Sequence, residues 1–182
     1  PAGHPAFRAI EYLSDRGILV GYTDGLFRPD GRASRGQFAK MVVAAMGWGL
    51  ISPPEPRFTD VPADHPLYAY IETAAARGLL PGFRAGTFEP NLPVSRSLAL
   101  RTVLSAAGKT LITGGALIAE LPPNHWAAGC DPEVKRGPND LDNTLCGNAP
   151  ATRMDTALLV YNLYRHMEVV ESTTHLDDQG RE

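Results

Sequence analysis

The sequence predicts a mainly α-helical fold made of three helix–loop–helix units, and three observations carry that expectation. The first is internal repetition. Pro1, Ala2, His4, Pro5, Ile10, Glu11, Arg16, Gly17, Gly21, Gly25, Phe27, Pro29, Ser34 and Arg35 recur 61 positions later, with no gap, as Pro62, Ala63, His65, Pro66, Ile71, Glu72, Arg77, Gly78, Gly82, Gly86, Phe88, Pro90, Ser95 and Arg96. A fixed period of this kind marks one supersecondary unit whose copies bury each other's apolar faces. The second is a degraded third copy. Thr152-Arg153 answers Ser95-Arg96, Ile118-Ala119-Glu120-Leu121-Pro122 echoes Phe58-Thr59-Asp60-Val61-Pro62, and His125 stands where His65 does. The third is helical spacing of apolar residues, as in Phe7, Ile10 and Leu13, then Phe38, Met41, Val42 and Ala45.

Taken in order, unit one covers 1–51. His4-Pro5 opens its first helix, since proline suits a first turn, and Arg16-Gly17 closes it with a residue able to turn left-handed. The loop Gly21–Pro29 follows, with Phe27 as a core plug. Ser34 caps the second helix and Gln37 completes a capping box; Gly47 stops that helix. Unit two, 52–112, repeats the plan with a helix over Pro66–Arg77, a loop over Gly78–Pro90 and a cap at Ser95. Val103 takes the place of Val42. Unit three, 113–170, has lost the glycine pattern and carries Cys130 and Cys146 in its place. Thr152 caps its final helix, with Asp155 in the capping-box position and Val160 at the place of Val42. The polar stretch 171–182 is expected to fray or to lead elsewhere.

Composition narrows the function. The 182 residues suit one domain or a tight repeat array, and a net charge of −3 argues against a general nucleic-acid binder. No apolar run approaches the roughly 20 residues that a membrane span needs, so no membrane insertion is expected. The counterpart of Phe58-Thr59-Asp60-Val61 would lie ahead of Pro1, so the chain is expected to be a mature or trimmed piece, which leaves room for a lost export signal. Cys130 and Cys146 bracket one polar insertion and are expected to form a disulfide, about 3 kcal/mol in the chain-entropy model; the ordinary alternative is two separate buried thiols. A disulfide implies an oxidising compartment.

The motifs resemble those of the S-layer homology domain, a module that is usually present as three tandem repeats. Its Gly-Ile-x-x-Gly-x-x-Asp-Gly-x-Phe-x-Pro loop is matched by Gly17–Pro29, and by Gly78–Pro90 with Ala85 in the place of Asp24. Its Thr-Arg-Ala-Glu helix start is matched by Ser34-Arg35-Gly36-Gln37, Ser95-Arg96-Ser97-Leu98 and Thr152-Arg153-Met154-Asp155. The resemblance implies a compact pseudo-threefold arrangement. It also implies non-covalent attachment of an exported protein to bacterial cell-wall polysaccharide, often a pyruvylated secondary polymer, at the cell surface. The helix-start arginine would contact the acidic sugar. Unit three departs from the pattern in its loop, and Leu98 replaces an acidic residue in unit two.

The residues themselves leave two readings of Arg35, Arg96 and Arg153. Each follows a capping Ser34, Ser95 or Thr152, where a cation opposes the helix dipole at about 0.3–1 kcal/mol. Exposed backbone N–H groups, a hydroxyl and a guanidinium would make an anion site. Alternatively each arginine forks onto a carboxylate of a neighbouring unit, with Glu11, Asp60, Glu72 and Glu120 available. Gly21 and Gly82 would let sugar approach the backbone, Asp24 lies in the same loop, and Tyr22, Phe83, Trp48 and Trp126 are candidate stacking surfaces, the ordinary reading of an aromatic beside a turn being a core plug. The recurring His4, His65 and His125 read better as residues that bond helix starts than as a metal site, and Asp131, Asp140, Asp142 and Asn143 do not match a calcium loop. No cofactor is expected. Nor is catalysis, because the sequence has no GxSxG, HExxH or phosphate-binding loop and no marked carboxylate pair. The expected partner is a cell-wall glycan. The alternatives are a structural subunit or cap of a surface layer or filament, with self-association or protein–protein contacts, and an accessory domain of a polysaccharide-active enzyme.

Overall fold

The computed structural model of the chain describes residues 6–83, 85–109 and 149–179, with side chains as far as Val169. The regular structure of these residues is five helices: α1 (Phe7–Asp15), α2 (Arg35–Ala45), α3 (Tyr68–Ala76), α4 (Arg96–Ala106) and α5 (Arg153–Gln179). The β pairing among them is confined to isolated bridges. The fold is therefore mainly α. His4, His125, Trp126, the Asp131–Asn143 cluster and both cysteines lie outside the described residues.

Local chemistry sets the helix ends. The Ser34 hydroxyl accepts the Gln37 N–H at 3.2 Å, and the Gln37 side chain accepts the Ser34 N–H in return. Thr152 and Asp155 form the same reciprocal pair at 3.0 and 2.9 Å. Ser95 accepts from the Leu98 N–H at 3.3 Å, but Leu98 has no acceptor to return. Gly17 and Gly78, at φ +68° and +70°, follow α1 and α3 in the left-handed conformation that glycine adopts without strain. Two boundaries differ from expectation. α3 starts at Tyr68 because the His65–Tyr68 segment forms a tight turn first: the Tyr68 N–H reaches the His65 carbonyl at 2.9 Å, and the His65 ring accepts the Leu67 N–H. At the other end, α5 runs through most of the expected tail, since no glycine or proline interrupts Glu171–Gln179.

The units meet at a hub of three residues that each precede a capping residue. Ala33 donates to the carbonyl of Ala151 at 3.1 Å, Ala151 to that of Val94 at 2.9 Å, and Val94 to that of Ala33 at 2.9 Å. The ring visits each unit once and closes, and all three residues are buried. Around it α2, α4 and α5 touch pairwise, while α3 packs on α2 and α1 packs on α5. The first helix of unit two thus rests on the second helix of unit one, and the first helix of unit one on the second helix of unit three. Val42, Val103 and Val160 are fully buried, with Phe38, Leu104 and Leu159 filling the same core.

Candidate functional site

The helix-start arginines reach into neighbouring units. On α2, the Arg35 Nε donates to the Phe88 carbonyl at 2.9 Å and its Nη2 to the Pro81 carbonyl at 2.7 Å. On α5, Arg153 repeats this against unit one: Nε to the Phe27 carbonyl at 2.8 Å, Nη2 to the Val20 carbonyl at 3.1 Å, and Nη1 to the Gln37 side chain at 3.1 Å. Both residues are only 5% exposed, and burial pulls both guanidinium groups below the ordinary arginine value. Arg96 on α4 comes within 3.8 Å of the Asp155 carboxylate.

The backbone follows the same scheme. The N–H groups of Arg35 and Gly36 donate to Leu92 and Pro90 of unit two, those of Arg153 and Met154 to Gly31 and Pro29 of unit one, and that of Arg96 to Ala149. These are the first donors of each helix, the groups that would otherwise be free to bind an anion. They join units instead. Two of the carboxylates expected to receive the arginines, Asp60 and Glu72, are used elsewhere, and Glu120 lies outside the described residues. Asp60 accepts the N–H groups of Phe88 and Glu89 at 2.8 and 2.7 Å. The buried Glu72 accepts the Arg57 N–H at 2.8 Å and lies 3.4 Å from its guanidinium. Where the second reading looked for carboxylates, Arg35 and Arg153 find loop carbonyls.

One concave site gathers several expected residues. A cavity of about 240 Å³ lies where the loop of unit one faces α2, walled by Ile18, Leu19, Val20, Met41 and Leu67, and it carries Gly21, Tyr22, Gln37, Lys40 and Arg153. Tyr22 is flanked by two cations, with Arg28 4.2 Å and Arg153 4.8 Å from its ring centre. Lys40 extends along the same side, 5.7 Å from the Tyr70 ring. The site is thus apolar on its walls and cationic at its polar end.

The other expected residues fall around this centre. Ser34 sits beside it through Gln37, which bonds both the cap and Arg153. Asp24 lies on the exposed outer turn of the loop, where it pairs with Arg28 and accepts the Leu26 N–H at 3.0 Å. The Arg28 guanidinium, with that N–H, holds its carboxyl below the usual carboxylate range. Trp48 is half-buried under the Arg77 guanidinium at 4.1 Å and does not line the cavity. Gly82 is required by its loop, since a Cβ there would lie 2.4 Å from the Phe58 ring and 2.8 Å from the Thr87 carbonyl oxygen, whereas a Cβ on Gly21 would lie 3.2 Å from the Leu26 carbonyl oxygen. Ser95 and Thr152 act as caps. Sequence reasoning named Tyr22 only as a surface for stacking on sugar, not as a platform between two cations, and passed over Lys40 and the link made by Gln37. A signal existed for Gln37, whose capping-box role places it one turn from the Ser34–Arg35 motif.

The S-layer homology domain matches residues 2–39 and 57–97. A cellulosome-anchoring protein of Acetivibrio thermocellus is 29% identical over 132 residues, covering 68% of this chain and 29% of that protein. Cell surface glycoprotein 1 of the same organism is 28% identical over 137 residues, covering 69% of this chain and 6% of that protein. A surface-layer 125 kDa protein of Lysinibacillus sphaericus is 28% identical over 181 residues, covering 94% of this chain and 15% of that protein. The chain therefore spans under a third of the length of each of these relatives.

Proposed function

The chain belongs to the S-layer homology domain family, and from that membership we propose that it anchors an exported protein, without a covalent bond, to bacterial cell-wall polysaccharide. Its place is the cell surface, and its work is binding rather than catalysis. The described residues include no helix long and apolar enough to cross a membrane, and the glycan is the attachment.

The observation that carries this reading is the cavity at the loop of unit one. A sugar ring has apolar C–H faces and polar edges. Val20, Met41 and Leu67 offer the former a surface, while Lys40, Gln37, Tyr22 and Arg153 offer donors at one end. A guanidinium has five N–H donors, and three hydrogen bonds from Arg153 are spent inside the fold. Two cations facing one small space favour an acidic sugar, such as a pyruvylated unit of a secondary wall polymer. Each charge-assisted hydrogen bond there contributes about 1.5–3 kcal/mol, roughly ten- to a hundredfold in affinity.

The test is co-sedimentation with purified cell-wall sacculi, before and after removal of the secondary polymer. Binding is expected to disappear with the polymer. Lys40→Ala is expected to weaken it by about tenfold with no change in melting temperature. Binding that survives stripping would overturn the acidic-polymer reading. A second reading draws on a specific observation: the guanidinium donors of Arg35 and Arg153 serve neighbouring units. On that reading the chain is a structural subunit of a surface layer or filament. It then shows no sacculus binding and associates with itself or with another surface protein.

A further inference from the structure

The seam that closes the ring is built differently from the seam inside it. α2 and α4 are followed by Gly47 and Gly108, at φ +60° and +66°, which turn the chain off each helix. The equivalence of Ser34 with Thr152 puts Arg165 in the place of Gly47, so α5 meets no such stop and runs on to Gln179. The facing helix changes with it. On α3, the Thr73 hydroxyl oxygen accepts the Ile51 N–H at 2.8 Å, from chain that has just turned off α2. The period of 61 puts Tyr12 of α1 in the place of Thr73, and there it meets helix instead of turn. The Tyr12 hydroxyl donates to the Glu168 carboxylate, at 2.7 and 2.8 Å from its two oxygens. The Tyr12 ring stands edge-on to Tyr161 and Tyr164, with centres 5.3 and 5.9 Å away. The Arg16 guanidinium lies 3.5 Å from the centre of the Tyr12 ring and 4.0 Å from Glu168, and Arg165 donates to Glu168 at 3.0 Å.

This contact joins elements that the chain itself does not. α2 and α3 are consecutive, so the segment between them limits their separation, whereas side chains seat α1 on α5. The charged members of the cluster are partly exposed, and contacts of that kind open at low free energy. The same two helices frame the candidate cavity. Ile18 and Leu19, two of its walls, both donate their N–H groups to the Leu13 carbonyl of α1, at 2.9 and 3.2 Å, while its Arg153 comes from the start of α5.

We propose that Tyr12 and Glu168 form a latch. Closed, it seats α1 on the run-on part of α5 and holds the two sides of the candidate cavity together. Open, α1 lifts and α5 past Tyr164 unwinds, while the hub at Ala33, Val94 and Ala151 stays closed. The bearing of the latch on the cavity rests on the glycan reading given above; the latch itself does not.

Amide hydrogen exchange of the 182-residue chain, read by mass spectrometry, tests this. Tyr12→Phe keeps the ring and removes the hydroxyl; Glu168→Gln keeps an acceptor and removes the charge. Each should speed exchange over residues 7–19 and 165–179 by about tenfold, with α2, α3 and α4 keeping the parent's rates. The double variant should exchange no faster than the more affected single one, because both changes weaken the same bond. The proposal is overturned if neither variant changes exchange, if the acceleration spreads evenly over all five helices, or if the two effects simply multiply. Soluble fragments of the secondary wall polymer should slow exchange of the same two segments in the parent, since a ligand that needs the assembled cavity opposes opening. If the variants respond as expected and the polymer has no effect, the latch stands and the cavity reading fails.

Discussion

Replacing Arg35 with alanine separates the two roles open to a helix-start arginine. The side chain links α2 to the loop of unit two through the Phe88 and Pro81 carbonyls, at 2.9 and 2.7 Å. It also lies over the Phe88 and Phe83 rings, at 4.6 and 4.9 Å. Hydrogen bonds to a charged group contribute about 1.5–3 kcal/mol each. Two bonds from one fork do not add fully, and the exposed Pro81 can turn its carbonyl to water, whereas Phe88 is fully buried. A net loss of about 2–4 kcal/mol follows. At about 2–4 °C per kcal/mol for a chain of this size, the melting temperature should fall by roughly 5–15 °C. Circular dichroism on heating measures this, with Arg35→Lys as the companion variant. Lysine carries the charge but not the fork, so it should recover less than half of the loss. Because Arg35 does not line the cavity of unit one, sacculus binding at low temperature should be unchanged. A fall of under about 2 °C together with a clear loss of sacculus binding would refute the assignment of Arg35 as a staple.

Further outcomes are expected. Gly82→Ala places a methyl group 2.4 Å from the Phe58 ring, so the urea midpoint should drop by the equivalent of about 1–3 kcal/mol; an unchanged midpoint would mean that the loop and Phe58 move apart freely. The Asp24 carboxyl, held by Arg28, should titrate below its ordinary 3.8 in a carbon-detected NMR titration. A carboxyl lowered by folding adds stability above its unfolded value that is lost as pH falls through the folded one. The difference in melting temperature between the parent and Asp24→Asn should therefore be constant at neutral pH and shrink as pH falls through the lowered folded value; a difference that is unchanged in acid would contradict this. For Cys130 and Cys146, thiol counting on denatured, unreduced protein should find none, and two free thiols would remove the disulfide expectation.

Much of this chain was legible because its signals are local. The Ser34–Gln37 and Thr152–Asp155 boxes and the glycine stops at Gly17 and Gly78 act within a few residues of themselves, so the sequence alone located α1, α2, α4 and the start of α5. The period of 61 announced copied units before any contact was known, helical spacing placed Val42 inside, and equivalence between the units carried Val103 and Val160 with it. What tertiary structure decided is where the polar groups of one unit end. Arg35 bonds a residue 46 positions away and Arg153 one 133 positions away, and no local pattern distinguishes a sugar carboxylate, a neighbour's carboxylate and a neighbour's carbonyl as the recipient. That choice follows from ring closure at Ala33, Val94 and Ala151, which brings the N-terminus of each second helix onto the next loop and puts Arg153 beside the intact loop of unit one. A buried donor must find an acceptor, and only the closed ring determines which acceptors come within reach.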